Sequence, residues 1–79
     1  AMADPHAGPQ VATEREQRRA ALMVAVRRLP LPQAQVVSLV LEDFSHAEIA
    51  DVLGISVNNV DVRLSRARQA LRRELGEPP

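Results

Sequence analysis

The chain of 79 residues contains no cysteine, no tryptophan and no tyrosine, and Phe44 is its only aromatic side chain. The lack of cysteine excludes a disulfide framework and a thiolate metal site. The longest apolar runs are far shorter than the roughly 20 residues that span a bilayer, and the chain opens with no signal-peptide pattern. We therefore expect one small, soluble, cytoplasmic domain whose single core is only just large enough for folding.

Residues that could carry catalysis are few and scattered. The two histidines, His6 and His46, lie 40 positions apart and match no metal-ligand spacing with the carboxylates. The three glycines form no phosphate-binding loop. No nucleophile, base and orienting acid converge along the chain. We predict a protein that is not an enzyme and uses no cofactor, in which His46 is a solvated helix-start residue that contacts at most a phosphate.

Charge is distributed unevenly although the net charge is zero. Residues 63–79 contain five arginines and two acids, whereas residues 29–61 contain five acids and no lysine or arginine. Arginine makes planar, paired contacts to phosphate or guanine. A basic stripe on one helix is therefore compatible with nucleic-acid binding.

The ends of the chain and its first half read as a flexible lead followed by two helices. Residues 1–12 carry proline and glycine without apolar periodicity, and residues 77–79 form a short tail. Thr13 and Glu16 form a capping box that opens a helix to about Leu29. A second helix is expected from about Pro32 to Glu42. The expected core positions of this half are Leu22, Val26, Leu29, Val36, Val37, Leu39 and Val40, with Phe44 at the junction that follows.

The segment from Ser45 to Gly54 has the start and stop signals of a short helix. Ser45 can cap the first turn while Glu48, three residues on, reaches back to the cap. Gly54 can adopt the left-handed conformation that ends a helix sharply. The apolar face of this helix is expected to contain Ile49, Val52 and Leu53.

The helix that follows Ser56 has a buried stripe and a polar outer face. Its apolar residues repeat at intervals of three and four: Val57, Val60, Leu64, Ala67 and Leu71. The outward positions are Asn58, Val62, Ser65, Arg66, Gln69 and Arg73, flanked by Asn59, Asp61 and Arg63. Asparagine and arginine can pair with base edges in the major groove, and an exposed valine can contact a thymine methyl group.

The spacing of Ala50, Gly54 and Val60 matches the small residue, turn glycine and inward apolar residue of a helix-turn-helix. An arginine-rich outer face alone is usually a solvated surface, so a plain helical bundle is the alternative. The combination favours DNA binding. We predict an all-α, four-helix domain over residues 13–76 that contains a helix-turn-helix.

The segments LPLPQAQVVSLV, SHAEIADVLGIS and VRLSRARQALRREL, within residues 29–75, closely resemble the C-terminal domain, region four, of bacterial extracytoplasmic-function sigma factors. The resemblance implies binding of the upstream minus-thirty-five promoter element, contact with the beta-subunit flap of RNA polymerase, and an anti-sigma partner. It also implies a second domain in the full-length protein, so we expect this chain to be a fragment. The DNA-binding residues expected are Ser45, His46, Asn58, Asn59, Val62, Arg63, Ser65 and Arg66.

The chain departs from the family pattern at several positions of the helix that follows Ser56, which is the recognition helix of the predicted helix-turn-helix. Asp61 stands where the family usually has lysine or arginine, and a carboxylate repels phosphates. Asn58, Asn59 and Val62 also differ from the common residues. So does Ala34, in the helix expected from about Pro32 to Glu42. These changes predict an altered sequence preference rather than loss of binding. The alternative is a sigma-like module that binds an anti-sigma factor without reading DNA.

Overall fold

The computed structural model describes residues 13–76, and within that range the chain forms four α-helices and no strand. They are α1 (Glu14–Arg27), α2 (Leu31–Leu41), α3 (His46–Leu53) and α4 (Val57–Leu75). The expected all-α, four-helix fold is confirmed. The expected lead (1–12, which includes His6) and tail (77–79) lie outside the described residues.

Serine and threonine caps start three of the four helices. The side chain of Thr13 accepts from the N–H of Glu16, and Glu16 reaches back to Thr13, which completes a capping box on α1. Ser45 and Glu48 make the same box on α3. Helix α2 has no side-chain cap and begins after Pro30. Its proline in the first turn occupies a position where a missing N–H leaves no broken hydrogen bond.

The boundaries between α1 and α2 differ slightly from the predicted ones. Helix α1 ends at Arg27, two residues before Leu29, and α2 begins at Leu31, one residue before Pro32. Pro30 disfavours the helical conformation in the residue before it, so Leu29 leaves the helix. The N–H of Leu29 then donates to the Val26 carbonyl at 3.1 Å, which tightens the last turn.

The core lies along α4, which contacts each of the other three helices. Its most deeply buried large side chains are Val36, Ile49 and Val60, each 0% exposed. They are surrounded by the smaller or less central members of the core: Ala25, Val26, Val37, Ala50, Leu64 and Ala67. Small Ala50 on α3 is 7% exposed, as expected for a residue at a close helix crossing. Leu39, Val40 and Phe44 are half-buried against this cluster.

Two predicted core residues are on the surface. Val52 is 59% exposed and Val57 is 44% exposed, so both predictions were wrong. In α3 the buried direction lies between Ile49 and Ala50, and at 100° per residue Val52 points well away from it. Val57 is the first residue of α4. No earlier turn of that helix flanks it, so solvent reaches its side chain.

One exposed ion pair joins the C-terminal end of α1 to the C-terminal end of α4. Nη1 of Arg28, the cap residue of α1, lies 2.6 Å from Oε1 of Glu74 near the end of α4. With side chains 70% and 39% exposed, such a pair contributes little stability. None of the helices within residues 13–76 has the length and hydrophobicity needed to cross a membrane.

Candidate nucleic-acid interface

Helices α3 and α4 are joined by a tight turn that contains Gly54. Gly54 has φ +69° and ψ 34°, in the left-handed region, and its N–H donates to the Ala50 carbonyl. The N–H of Ile55 also donates to that carbonyl, at 3.0 Å. A Cβ atom built on Gly54 would meet no atom within 4 Å. Backbone conformation, rather than lack of space, therefore favours glycine here.

The packing of this helix pair fixes which side of α4 faces outward. Ile49 and Ala50 of α3 are buried together with Val60, Leu64 and Ala67 of α4. Because these α4 residues repeat at helical spacing, they define one inward stripe. The opposite face of α4 is thereby held toward solvent.

The outward face of α4 carries the residues that the sequence predicted for it. Val62 is 37% exposed, a large apolar side chain open to solvent among polar neighbours. Arg63 is half-buried at the edge of the face. The remaining predicted side chains of this face are all exposed: Asn58, Asn59, Asp61, Ser65, Arg66, Gln69 and Arg73. The structure therefore gathers the α4 candidates on one accessible surface, with amide and guanidinium groups suited to base edges.

The first turn of α3 contributes the other two candidates, Ser45 and His46. The N–H of Ser45 donates to Oε1 of Glu48 at 2.8 Å, and the N–H of Glu48 donates to Oγ of Ser45 at 3.1 Å. The backbone N–H of Ser45, and then its side chain, lower the pKa of Glu48 below the ordinary glutamate value. The Ser45 hydroxyl is therefore engaged with Glu48 inside the capping box.

A contact that the sequence analysis missed links the two helices. Nδ1 of His46 lies 2.8 Å from Oδ1 of Asp61, and the side chains are 45% and 54% exposed. His46 is solvated as predicted, but it also has a carboxylate partner. The two residues are separated by 15 positions. Only the crossing of α3 over α4 brings them together.

Among the four helices, arginines occur only in α1 and α4. Helix α2 contains no charged residue, whereas α4 carries five arginines: Arg63, Arg66, Arg68, Arg72 and Arg73. Such a basic helix attracts the phosphate backbone of nucleic acids. Within residues 13–76, no group of three or more histidine and acidic side chains could hold a metal ion.

This arrangement is a helix-turn-helix: α3 is the first helix, Gly54 is in the turn, and α4 is the second helix with an outward polar face. The family model described as sigma-70, region 4, matches residues 19–71, about two thirds of the chain. The chain belongs to that family, whose members are DNA-binding helix-turn-helix domains of sigma factors. Comparisons with curated proteins and with solved structures gave no significant match.

In sigma factors generally, region 4 binds the minus-thirty-five promoter element and interacts with RNA polymerase during transcription initiation. Membership therefore supports promoter-DNA binding as the general activity of the fold. Membership does not identify which residues of this chain contact DNA, so these are proposed below from its exposed side chains.

Proposed function

We propose that this chain reads the minus-thirty-five element as region four of an extracytoplasmic-function sigma factor and directs transcription initiation in the cytoplasm. The observation that carries the proposal is the outward face of α4, on which amide and guanidinium side chains are exposed while the opposite stripe is buried. A helix presented in this way fits the major groove of duplex DNA.

The exposed residues divide naturally between bases and phosphates. Asn58, Asn59 and Arg66 have side chains that form paired hydrogen bonds with adenine or guanine edges, and Val62 can contact a thymine methyl group. Three of the remaining candidates lie beside this face, where phosphates pass: Ser45, His46 and Arg63. Ser65 lies on the face itself. Phosphate contacts set the register of a helix in the groove, and base contacts set specificity.

A second surface is available for the protein partners. Large apolar side chains are exposed on α1 and α2, which carry none of the proposed DNA contacts: Met23, Val24, Leu31 and Leu41. The beta-subunit flap of RNA polymerase and an anti-sigma factor are the partners that membership in this sigma-factor group implies. A protein partner that binds this surface of α1 and α2 leaves α4 free to bind DNA.

Selection of bound duplexes from a random pool, at two salt concentrations, tests the proposal. One enriched motif is expected, with an affinity that falls steeply as salt rises. Asn59→Ala and Arg66→Ala should each reduce the preference for the selected site over a scrambled duplex by about 1 to 3 kcal/mol. Loss of one phosphate contact should flatten the double-logarithmic salt slope by about 0.9.

Matched controls lie on α1, away from the recognition helix. Gln17→Ala and Arg27→Ala remove an amide and a guanidinium group from exposed positions, and both should keep the preference of the wild-type chain. Equal binding of the selected and scrambled duplexes by the wild-type chain at low salt would contradict the proposal.

Asp61 and exposed Val62 favour a second candidate, a sigma-like module that binds an anti-sigma factor and does not read DNA. The carboxylate repels phosphate, and the valine offers an apolar contact to a protein. This candidate predicts binding of an anti-sigma protein together with no duplex preference that Asn59→Ala or Arg66→Ala could reduce.

A further inference from the structure

The contact between His46 and Asp61 joins the two helices of the proposed DNA-binding unit. Nδ1 of His46 and Oδ1 of Asp61 are 2.8 Å apart. His46 is the first residue of α3, and Asp61 lies in the second turn of α4. Both side chains are about half exposed, 45% and 54%. The imidazole can therefore contact the carboxylate and still reach a ligand from solvent.

The carboxylate determines what the other ring nitrogen can do. An ionised carboxylate only accepts hydrogen bonds, so the proton of the contact belongs to Nδ1 of His46. In the neutral ring, Nε2 is then an acceptor, which repels a phosphate oxygen. In the protonated ring, Nε2–H is a second donor. Only protonated His46 can bond Asp61 and a phosphate at the same time.

We propose, on the basis of the DNA-binding function above, that Asp61 is a positioning residue that acts through His46. It orients the imidazole through the contact at Nδ1, so that in the protonated ring Nε2–H donates to a DNA phosphate. Binding of a duplex then takes up a proton. The acidic residue at this family position does not simply repel DNA, because its charge is balanced by the imidazolium that it holds.

The elements that carry the pair or pack against it contain both acids and arginines. Within the described residues, α3 packs against α2 and α4, and α2 carries no charged side chain. The turn before α3 contains Glu42 and Asp43, and α3 itself contains Glu48, which is engaged by Ser45, and Asp51. On α4 the nearest bases in sequence are Arg63 and Arg66. Of all these groups, Asp61 is the carboxylate in direct contact with His46.

The test measures the affinity of the 79-residue chain for a labelled duplex carrying the selected site, near pH 6 and near pH 8 at constant ionic strength. Histidine is the side chain whose charge ordinarily changes in this interval. The wild-type chain should bind about fivefold more tightly near pH 6, because a charge-assisted hydrogen bond to phosphate is gained. His46→Gln and Asp61→Asn should bring the ratio of the two affinities close to one.

Two control variants separate this effect from general electrostatics. Asp51→Asn removes an exposed acid from α3 and changes the net charge as Asp61→Asn does, so it should tighten binding at both pH values and keep the ratio. His6→Gln removes the other histidine of the chain and should also keep the ratio. Nitrogen chemical shifts of the imidazole, which report its protonation, should show His46 more protonated in the complex than in the free chain near pH 7.

Each other outcome overturns the proposal or a defined part of it. If Asp61→Asn keeps the wild-type ratio and tightens binding as Asp51→Asn does, Asp61 only repels DNA and has no positioning role. If the wild-type ratio is near one, no proton is taken up and the proposal fails while promoter binding stands. If binding depends on pH but selected and scrambled duplexes bind equally, the phosphate contact stands and the promoter-reading function fails. Absence of any duplex binding at low salt overturns both.

Discussion

The turn after α2 and the turn after α3 have the same construction but use different residues. After α2, Asp43 takes a left-handed conformation with φ 68°. The N–H of Phe44 then donates to the Leu39 carbonyl at 3.1 Å, and Phe44 packs against the core. Ser45 follows and caps the next helix. This is a Schellman-type helix end with aspartate in the position that glycine usually fills.

After α3, Gly54 takes φ 69°, the N–H of Ile55 donates to the Ala50 carbonyl at 3.0 Å, and Ser56 caps α4. The left-handed conformation is unstrained for glycine and costs roughly 1 to 2 kcal/mol for most other residues. The turn that orients the recognition helix is thus built without backbone strain, whereas the turn that orients α3 keeps some.

The two serine caps also differ, and here the start of α3 has more hydrogen bonds than the start of α4. Ser45 is part of a full capping box with Glu48, whereas Ser56 receives only the N–H of Asn59, at 3.0 Å. A glutamate at the Asn59 position could complete a box, but its carboxylate would then lie at the start of the proposed DNA-reading face. Helix α3 therefore has both bonds of a capping box, whereas α4 has a single cap bond and an exposed Asn59 side chain.

Gly54→Val is expected to have the largest effect on the turn between α3 and α4. We expect it to lower the free energy of unfolding by about 1 to 3 kcal/mol, because a β-branched residue is strained at positive φ. Chemical denaturation of the purified chain measures the change. Gly54→Asn is the matched variant and should cost less, since asparagine tolerates the left-handed conformation. Equal stability of the valine variant and the wild-type chain would contradict the preference for glycine.

Removing the caps tests the second difference. Ser45→Ala and Ser56→Ala should each cost about 1 kcal/mol, since each removes one hydroxyl that accepts a backbone N–H. Glu48→Ala removes the bond from the Ser45 backbone N–H and should destabilise α3 as well, whereas Asn59→Ala leaves the cap of α4 intact. Thermal or urea unfolding of the four variants in parallel gives these values, and an unchanged stability of Glu48→Ala would show that the box adds nothing to α3.

Exchanging aspartate and glycine between positions 43 and 54 tests the difference in backbone strain between the two turns. Asp43→Gly relieves the strain at φ 68° and should raise the free energy of unfolding by about 0.5 kcal/mol, after the larger entropy of glycine in the unfolded chain is subtracted. The reciprocal variant, Gly54→Asp, should lower it. If Asp43→Gly is destabilising, the aspartate side chain contributes to the turn more than its backbone conformation costs.

The smallest expected effect concerns the pH dependence of the box on α3. The N–H of Ser45 lowers the pKa of Glu48 in the folded chain, so the folded state binds a proton less readily than the unfolded state. The contribution of this residue to stability is present above the ordinary glutamate value of 4.5 and is lost as the pH falls below it. Glu48→Gln should reduce the acid dependence of unfolding, measured from about pH 7 to about pH 3. An unchanged acid dependence would contradict this assignment.

Local signals explain most of what the sequence predicted correctly. Ser45, Glu48, Gly54 and Ser56 each specify a helix end through bonds within a few residues, so their roles are confirmed in the structure. The buried stripe of α4 from Val60 to Leu71 follows from its regular apolar spacing over about three turns. Fold class and the outward position of the α4 candidates could therefore be predicted without the structure.

What was missed depends on neighbouring helices or on weak residue preferences. Val52 was placed in the core by spacing alone, but the directions of α2 and α4 decide which side of α3 is covered. The bond between His46 and Asp61 arises from the crossing of two helices, for which no local pattern exists. Asp43 was not identified as a left-handed residue because aspartate adopts many turn conformations.

One consequence follows from the central position of α4, which contacts α1, α2 and α3 along a length of about 28 Å. The buried side chains of the core and the exposed side chains lie on opposite faces of this one helix. Substitutions on one face can therefore occur independently of substitutions on the other. Exposed substitutions usually alter stability by less than about 0.5 kcal/mol. Substitution of a few exposed residues of α4 can therefore change what this helix binds, with little change in the free energy of unfolding.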